Sequence, residues 1–340
     1  MARASACARS RALLHFPASQ FPAKQPFLAM TKPYLLVLIL LKDASLASVK
    51  SAYEVVYAPD EGSRVEAIAA HGEKVRAVLT NGTTGLTAEE IDQMPRLEFV
   101  SALGAGYENI AIDHARSRNI VLANGAGTNA ACVADHAFAL LLAVVRDVPQ
   151  LDQATRQGVW RDTLRMHPGV SGKRLGVLGL GHIGSKVARR GAGFDMELGY
   201  HNRKPRESEP IRYFDSVTAL AQWCDFLVVT TVGGPGTRHL IDKPVLEALG
   251  PDGFLVNVSR GSVVDTAALA EALSAGTIAG AGLDVYEGEP EPPKALIGLR
   301  NVVLTPHVGG RSPESIAASV QNFLDNAARH FAGEKVLTPI

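Results

Sequence analysis

Cysteine is scarce in this chain. Three occur, Cys7, Cys132 and Cys224, and they lie far apart. They form no zinc-ligand spacing and no disulfide framework, so no metal is expected and a reducing, cytoplasmic setting fits. Net charge is missing as well: Lys+Arg and Asp+Glu both total 34. No long basic tract appears, so nothing drives non-specific binding to nucleic acid or to an anionic membrane. Long hydrophobic runs are also absent. The longest are "YLLVLILL" (34–41) and "AFALLLAVV" (137–145), whereas a membrane span needs about 20 residues.

What is present is an ordinary globular composition, with 46% hydrophobic and 20% charged residues. A length of 340 residues suggests two domains, each able to bury its own core. Residues 1–30 differ from the rest. They hold Arg3, Arg9, Arg11 and Lys24, three prolines and no acidic residue. That composition resembles a transit peptide without a secretory hydrophobic segment. The other reading is an upstream start codon or a disordered leader, because Met30 runs at once into "TKPYLLVLIL".

From residue 34 apolar runs alternate with helical stretches. Strands are expected at 34–40, 53–59, 75–80, 97–103 and 119–124, with helical text such as "RVEAIAAHG" (64–72) between them. "TNAACVADHAFALLLAVVRDV" (128–148) has no interior Gly or Pro. It predicts a long helix between domains, capped by Thr128 or Asn129. A second series of strands is expected at 174–181, 196–202, 226–231, 254–259, 279–286 and 301–306. The last helix, 312–333, has a Ser-x-x-Glu-like start and should return to the first domain. The order predicts an α/β fold of two doubly wound parallel sheets.

"GLGHIG" (179–184) matches Gly-x-Gly-x-x-Gly between the strand "LGVL" and the helix "SKVARRGAGF". Gly179 permits the tight turn, Gly181 lets backbone approach a pyrophosphate, and Gly184 lets helix pack on strand. The helix start then offers free N–H groups to the phosphates. The next strand ends "GYHNRKPR" (199–206), with His201 where an NAD-type site would place an acid. Arg203, Lys204 and Arg206 follow, and such a cluster suits a 2′-phosphate. NADP is therefore favoured, with NAD as the alternative. The plainer reading of the cluster is a solvated basic loop.

Four ordered motifs, "GVLGLGHIG", "NVSRGSVVDTAAL", "GLDVYEGEP" and "LTPHVGG", resemble the D-isomer-specific 2-hydroxyacid dehydrogenase family over about residues 34–340. The resemblance is to its glyoxylate/hydroxypyruvate and 2-ketogluconate reductase branch. It implies a Rossmann domain at 127–308 inserted in a flavodoxin-like substrate domain, 31–126 and 309–340. It also implies a catalytic trio: Arg260 of "VSRG", Glu289 of "EGEP" and His307 of "TPHVGG". The chemistry needs these types. Arg260 can hold the carboxylate and ketone of a 2-oxo acid through its planar fork. His307 can protonate the alkoxide that develops on hydride addition, a task suited to a group with a reference pKa of about 6.5. Glu289 should orient the imidazole and favour its charged form. Singly, each has a plain reading: a salt-bridged strand end, a turn residue and an ordinary histidine.

The same resemblance implies that Ala105 and Gly106 of "SALGAGYENI" bind the substrate carboxylate, beside Arg260 and His307. Two nearby glycines suit a nest-like anion site. It implies a cofactor set of Gly179, Gly181, His182, Ile183, Gly184, Asn202, Arg203, Lys204, Thr231, Val232, Thr237, Val258, Asp284, His307 and Gly309. Asp284 would lie near the nicotinamide carboxamide, and Trp160 in a dimer arm. One departure stands out. "TTVGGPGTRHL" (230–240) has Val232 where many relatives carry proline, so "VGGPGT" should be looser. A homodimer is expected, acting on a small 2-oxo acid. Phosphoglycerate dehydrogenase is the second enzyme reading, although the chain leaves no room after its last helix for the regulatory domain many of those carry. A dinucleotide-sensing corepressor is the reading from another class.

Overall fold

The computed structural model describes residues 32–206 and 210–340; the expectation for residues 1–30 lies outside them. Among the described residues twelve strands form two sheets. The first holds β1 (Tyr34–Val37), β2 (Glu54–Tyr57), β3 (Val75–Thr80), β4 (Phe99–Ala102) and β5 (Val121–Asn124), in the order β2-β1-β3-β4-β5. The second holds β6 (Arg174–Leu178), β7 (Glu197–His201), β8 (Arg212–Tyr213), β9 (Phe226–Val229), β10 (Phe254–Asn257), β11 (Gly280–Leu283) and β12 (Val302–Leu304). Its order is β12-β11-β10-β9-β6-β7-β8. All strand pairs are parallel. The first order is flavodoxin-like and the second is the Rossmann order with one strand more.

Each sheet is apolar on both faces, because alternate residues of a strand point to opposite sides and both sides carry helices. In the first sheet Leu36, Val78, Val100 and Leu122 face one core. Leu35, Leu79 and Phe99 face the other, together with Val320, Phe323 and Ala327 of the helix Pro313–Phe331. The end of the chain thus builds the same core as its beginning. Burying a side chain such as Phe323 contributes roughly 1.5–3 kcal/mol. In the second sheet Val177, Val228 and Val256 meet Ala134, Ala137 and Leu141 of the helix Ala130–Val145.

Three local expectations need correction. The helix predicted over 128–148 ends at Val145; Asp147 takes a left-handed φ of 54°, and a separate helix, Val148–Arg156, follows. Asn129 stands at the N-cap position without a capping hydrogen bond. Thr128 instead gives its hydroxyl to Gly125 O at 2.7 Å and meets Ser319 Oγ at 2.7 Å, tying the outgoing connection to the returning helix. At Ser312 the capping box is closed by Ser315, since Glu314 falls one position short of the register the motif needs. The two-residue strand β8 went unforeseen because it is too short to show a period. No helix of the described residues is long and apolar enough to cross a membrane.

Candidate active site

Doubly wound sheets bind ligands outside the carboxyl ends of their strands, where the strand order reverses. In the second sheet that point lies between β6 and β9. The glycine loop leaves β6 there, and its three glycines serve three different ends. Gly179 has φ +98°, and a Cβ on it would stand 2.8 Å from Thr231 Cα. Gly184 begins the helix against the loop, where a Cβ would stand 2.2 Å from Gly179 O. Gly181 faces open space, with nothing within 4 Å of its missing Cβ. It caps the helix His182–Ala192, whose first N–H groups point outward beside a hollow of about 440 Å³ lined by Gly181, His182, Ser185, Lys186 and Arg206. Ile183 packs inward on the core instead. The arrangement fits a dinucleotide pyrophosphate: a donor-lined cradle that any side chain at 181 would fill.

The end of β7 closes this site. Asn202 Oδ1 accepts from Leu180 N at 2.7 Å, and His201 Nδ1 is spent on Phe214 O at 2.9 Å. Arg203 and Lys204 are exposed beyond them. Arg206 reaches back to donate to Leu180 O at 2.6 Å and Ser185 Oγ at 3.4 Å. Arg206 belongs to the basic cluster but not to the expected cofactor set; only the folded turn brings it to the glycine loop. After β9, Thr230 donates to Gly179 O at 2.8 Å and Thr231 lies half-buried beside Gly179. The loop at Val232, expected to be loose, is drawn in by Thr237, whose hydroxyl donates to Val232 O at 2.8 Å and Gly234 O at 3.2 Å. Val232 itself projects outward and Val258 is buried.

The trio comes from the ends of three neighbouring strands. Arg260 follows β10, Glu289 follows β11 and His307 follows β12. His307 Nδ1 lies 2.7 Å from Glu289 Oε2, which leaves Nε2 turned away from the glutamate. Glu289 Oε1 accepts from Tyr286 N at 2.7 Å. Burial pushes the Glu289 carboxyl up, but those hydrogen bonds, with the charges of His307 and Arg260, hold it below the usual glutamate value. Arg260 donates through Nε to Glu108 Oε1 at 2.8 Å and through Nη1 to Ser259 O at 2.7 Å. Its Nη2 stands 1.9 Å from where a Cβ on Gly106 would be, so the guanidinium lies directly on the 104–106 loop. Ala105 accepts from Asn124 Nδ2 at 2.8 Å. Among the described residues the Ala105 and Gly106 N–H groups donate to nothing in the protein.

Asp284 and Gly309 do work that their expected cofactor contacts did not include. Asp284 is 2% exposed. Its Oδ1 accepts from Thr305 Oγ1 at 2.6 Å and Val308 N at 2.9 Å, and its Oδ2 from Gly309 N at 2.8 Å. His136 Nε2 stands 3.2 Å from the same carboxylate. The buried acid therefore fastens the loop that carries His307, which has a left-handed φ of 52°. His136 and Glu108 were not foreseen, because nothing local in their text distinguishes them from helix and loop polar residues.

Comparison with known proteins shows the family. Residues 138–309 match the model for the NAD-binding domain of D-isomer-specific 2-hydroxyacid dehydrogenases. The chain is 39% identical to a hydroxyphenylpyruvate reductase of Plectranthus scutellarioides, over 80% of this chain and 88% of that protein. It is 39% identical to a 2-ketogluconate reductase of Gluconobacter oxydans, over 78% and 86%. Its structure resembles that of an NADPH-dependent glyoxylate/hydroxypyruvate reductase of Sinorhizobium meliloti in complex with NADP and malonate, with a TM-score of 0.82, 36% identity and coverage of 91% and 97%.

Proposed function

The chain belongs to the D-isomer-specific 2-hydroxyacid dehydrogenase family, and from that premise we propose that it reduces a small 2-oxo acid, such as glyoxylate, hydroxypyruvate or 2-ketogluconate, to the D-2-hydroxy acid. The observation that carries this reading is the meeting of Arg260 with the hydrogen-bonded pair Glu289–His307 at one sheet edge, opposite the unspent N–H groups of Ala105 and Gly106. A 2-oxo acid offers a carboxylate and a ketone side by side, and these groups match both.

A bound nicotinamide dinucleotide supplies the hydride. The residues of the chain do the rest. Arg260 grips carboxylate and carbonyl oxygen, and the loop N–H groups take the other carboxylate oxygen. Glu289 holds Nδ1–H of His307 and so directs Nε2–H at the carbonyl oxygen. As negative charge grows on that oxygen, His307 gives up its proton, and the imidazole is left neutral beside an ionised glutamate.

The cofactor preference in this reading is NADPH. Support comes from Arg203, Lys204 and Arg206 at the end of β7, and from the lack of a carboxylate at His201 and Asn202. In this reading the domain crossings lie near residues 127 and 308; the run of the chain from β5 into the helix Ala130–Val145, and from β12 into the helix Pro313–Phe331, supports it. A homodimer fits the segment after the helix Ala130–Val145, which exposes Val148 by 51%, Trp160 by 68% and Met166 by 96%. A cytoplasmic setting fits the free thiols of Cys132 and Cys224. The test is loss of nicotinamide absorbance with NADPH, then NADH, against the three acids named. Fast oxidation of NADPH is expected; turnover with none of the six pairings would reject the activity, and a preference for NADH would reject the cofactor assignment.

A further inference from the structure

Arg260 is held by a residue outside the trio. Glu108 sits in the loop after β4, on the first sheet's side of the cleft, while Arg260 follows β10 of the second sheet. Their contact of 2.8 Å bridges the two. The seat of Glu108 is lined by glycine. A Cβ on Gly82 would stand 2.6 Å from Glu108 Oε2, and one on Gly106 2.7 Å from the same oxygen. A Cβ on Gly233 would stand 2.7 Å from Arg260 Cγ and 3.6 Å from Glu108 Oε1. Any larger residue at these positions would displace the pair. The Glu108 side chain is 36% exposed and that of Arg260 33%, so both face the open cleft and neither is sealed in the core.

We propose that Glu108 is a positioning and selectivity residue: it holds Arg260 by Nε and keeps a negative charge in the cleft that turns away 2-oxo acids bearing a second anionic group. The proposal rests on Arg260 being the carboxylate ligand. An arginine has five N–H donors. Glu108 takes the Nε–H and Ser259 O takes one on Nη1, so the edge presented to substrate is the one nearest Gly106. Glu108 thereby fixes the rotation of the guanidinium plane. Charge follows from the same contacts. Arg260 and a protonated His307 are positive, while Glu108 and Glu289 are negative, and the four sum to zero. A 2-oxo acid with a neutral tail brings the sum to minus one. A tail carboxylate or phosphate brings it to minus two, with no cation among the four left over to meet it. Inside one pocket, repulsion between two unit charges changes binding roughly tenfold or more even at an effective dielectric of about 20.

The experiment compares oxaloacetate with its C4 amide, which has the same size and a neutral tail, using glyoxylate as the common reference. kcat/KM with NADPH is measured for wild type, Glu108→Gln and Glu108→Asp. The wild type should favour the amide over the diacid. Glu108→Gln keeps an oxygen for Arg260 Nε and the side-chain shape, and it should raise the diacid-to-amide ratio about tenfold. Glu108→Asp keeps the charge but withdraws it by one methylene; kcat/KM should fall for every substrate with the ratio near wild type. A Glu108→Gln enzyme that still reduces glyoxylate with an unchanged ratio would overturn the proposal and leave the reductase reading standing. A wild type that prefers the diacid would also overturn it. A wild type that reduces no 2-oxo acid would overturn the reductase reading, and this proposal with it.

Discussion

A guanidinium at the tip of a buried strand is tolerable only where something accepts from it. Arg260 has Glu108 and Ser259 O on one side and the 104–106 loop on the other. Charged hydrogen bonds to a substrate contribute about 1.5–3 kcal/mol each. Arg260→Ala removes at least two, so kcat/KM should fall a hundredfold or more while dinucleotide affinity, read by fluorescence titration, stays within a few-fold. Wild-type turnover in that variant would remove Arg260 from the mechanism. Burial raises the Glu289 carboxyl, but its hydrogen bonds hold it below the ordinary glutamate value, so it is ionised near neutral pH. Glu289→Gln takes away the negative charge that faces Nδ1 of His307 at 2.7 Å. The turnover number should fall with little change in KM for the 2-oxo acid. A variant with wild-type kcat would argue against the pairing. Asp284 acts one step back: Asp284→Asn leaves buried N–H groups poorly matched, a cost of about 1–3 kcal/mol. Its signature is a lower melting temperature together with lower kcat.

At the scale of elements, the glycine loop separates folding from binding. Gly184→Ala drives a methyl into Gly179 O, an overpacking that costs about 1–3 kcal/mol. Gly181→Ala meets nothing in the protein. Calorimetry should therefore find Gly184→Ala destabilised and Gly181→Ala close to wild type, while dinucleotide titration should find both weakened. Equal melting temperatures in the two variants would contradict this division. The same strand shows where pH acts on stability. The Arg174 hydrogen bond holds the Asp225 carboxyl below its usual range, joining the start of β6 to that of β9. A depressed folded-state pKa stabilises above the unfolded value of about 3.9 and loses that contribution as pH falls through the folded value. Asp225→Asn should be less stable than wild type at neutral pH by about 1 kcal/mol, since solvent screens the half-exposed Arg174. Urea unfolding should show the gap closing below about pH 4.

For the whole molecule, the site exists because two sheets are threaded by one chain. The first sheet is completed by the last helix, and the C-terminal tail runs beside β5, with Asn124 N donating to Thr338 O at 3.0 Å and Ile340 N to Leu122 O at 3.2 Å. That covers an edge which would otherwise be open to another strand. The proposed homodimer would cover the exposed side chains of Val148, Trp160 and Met166. Trp160→Glu should shift light scattering from dimer toward monomer; a dimer that is indifferent to the charge would place the interface elsewhere.

By itself the sequence determined the alternation of strands and helices in two parallel sheets and the nucleotide loop, both written in local text as apolar runs and glycines at fixed spacing. The three residues expected at the cleft came through motifs that resemble a family. Only the tertiary structure decided which side chains from distant segments touch. Glu108 and Arg260 are 152 residues apart, and His136 reaches the Asp284 hub from 148 residues away. It also turned Asp284 and Gly309 into fasteners and sent Arg206 back to the glycine loop. The physical reason is that propensity and periodicity act within a turn or a strand. A polar side chain's partner is chosen by whichever backbone or charge the packed sheets bring within 3 Å of it, and that is settled by the fold as a whole.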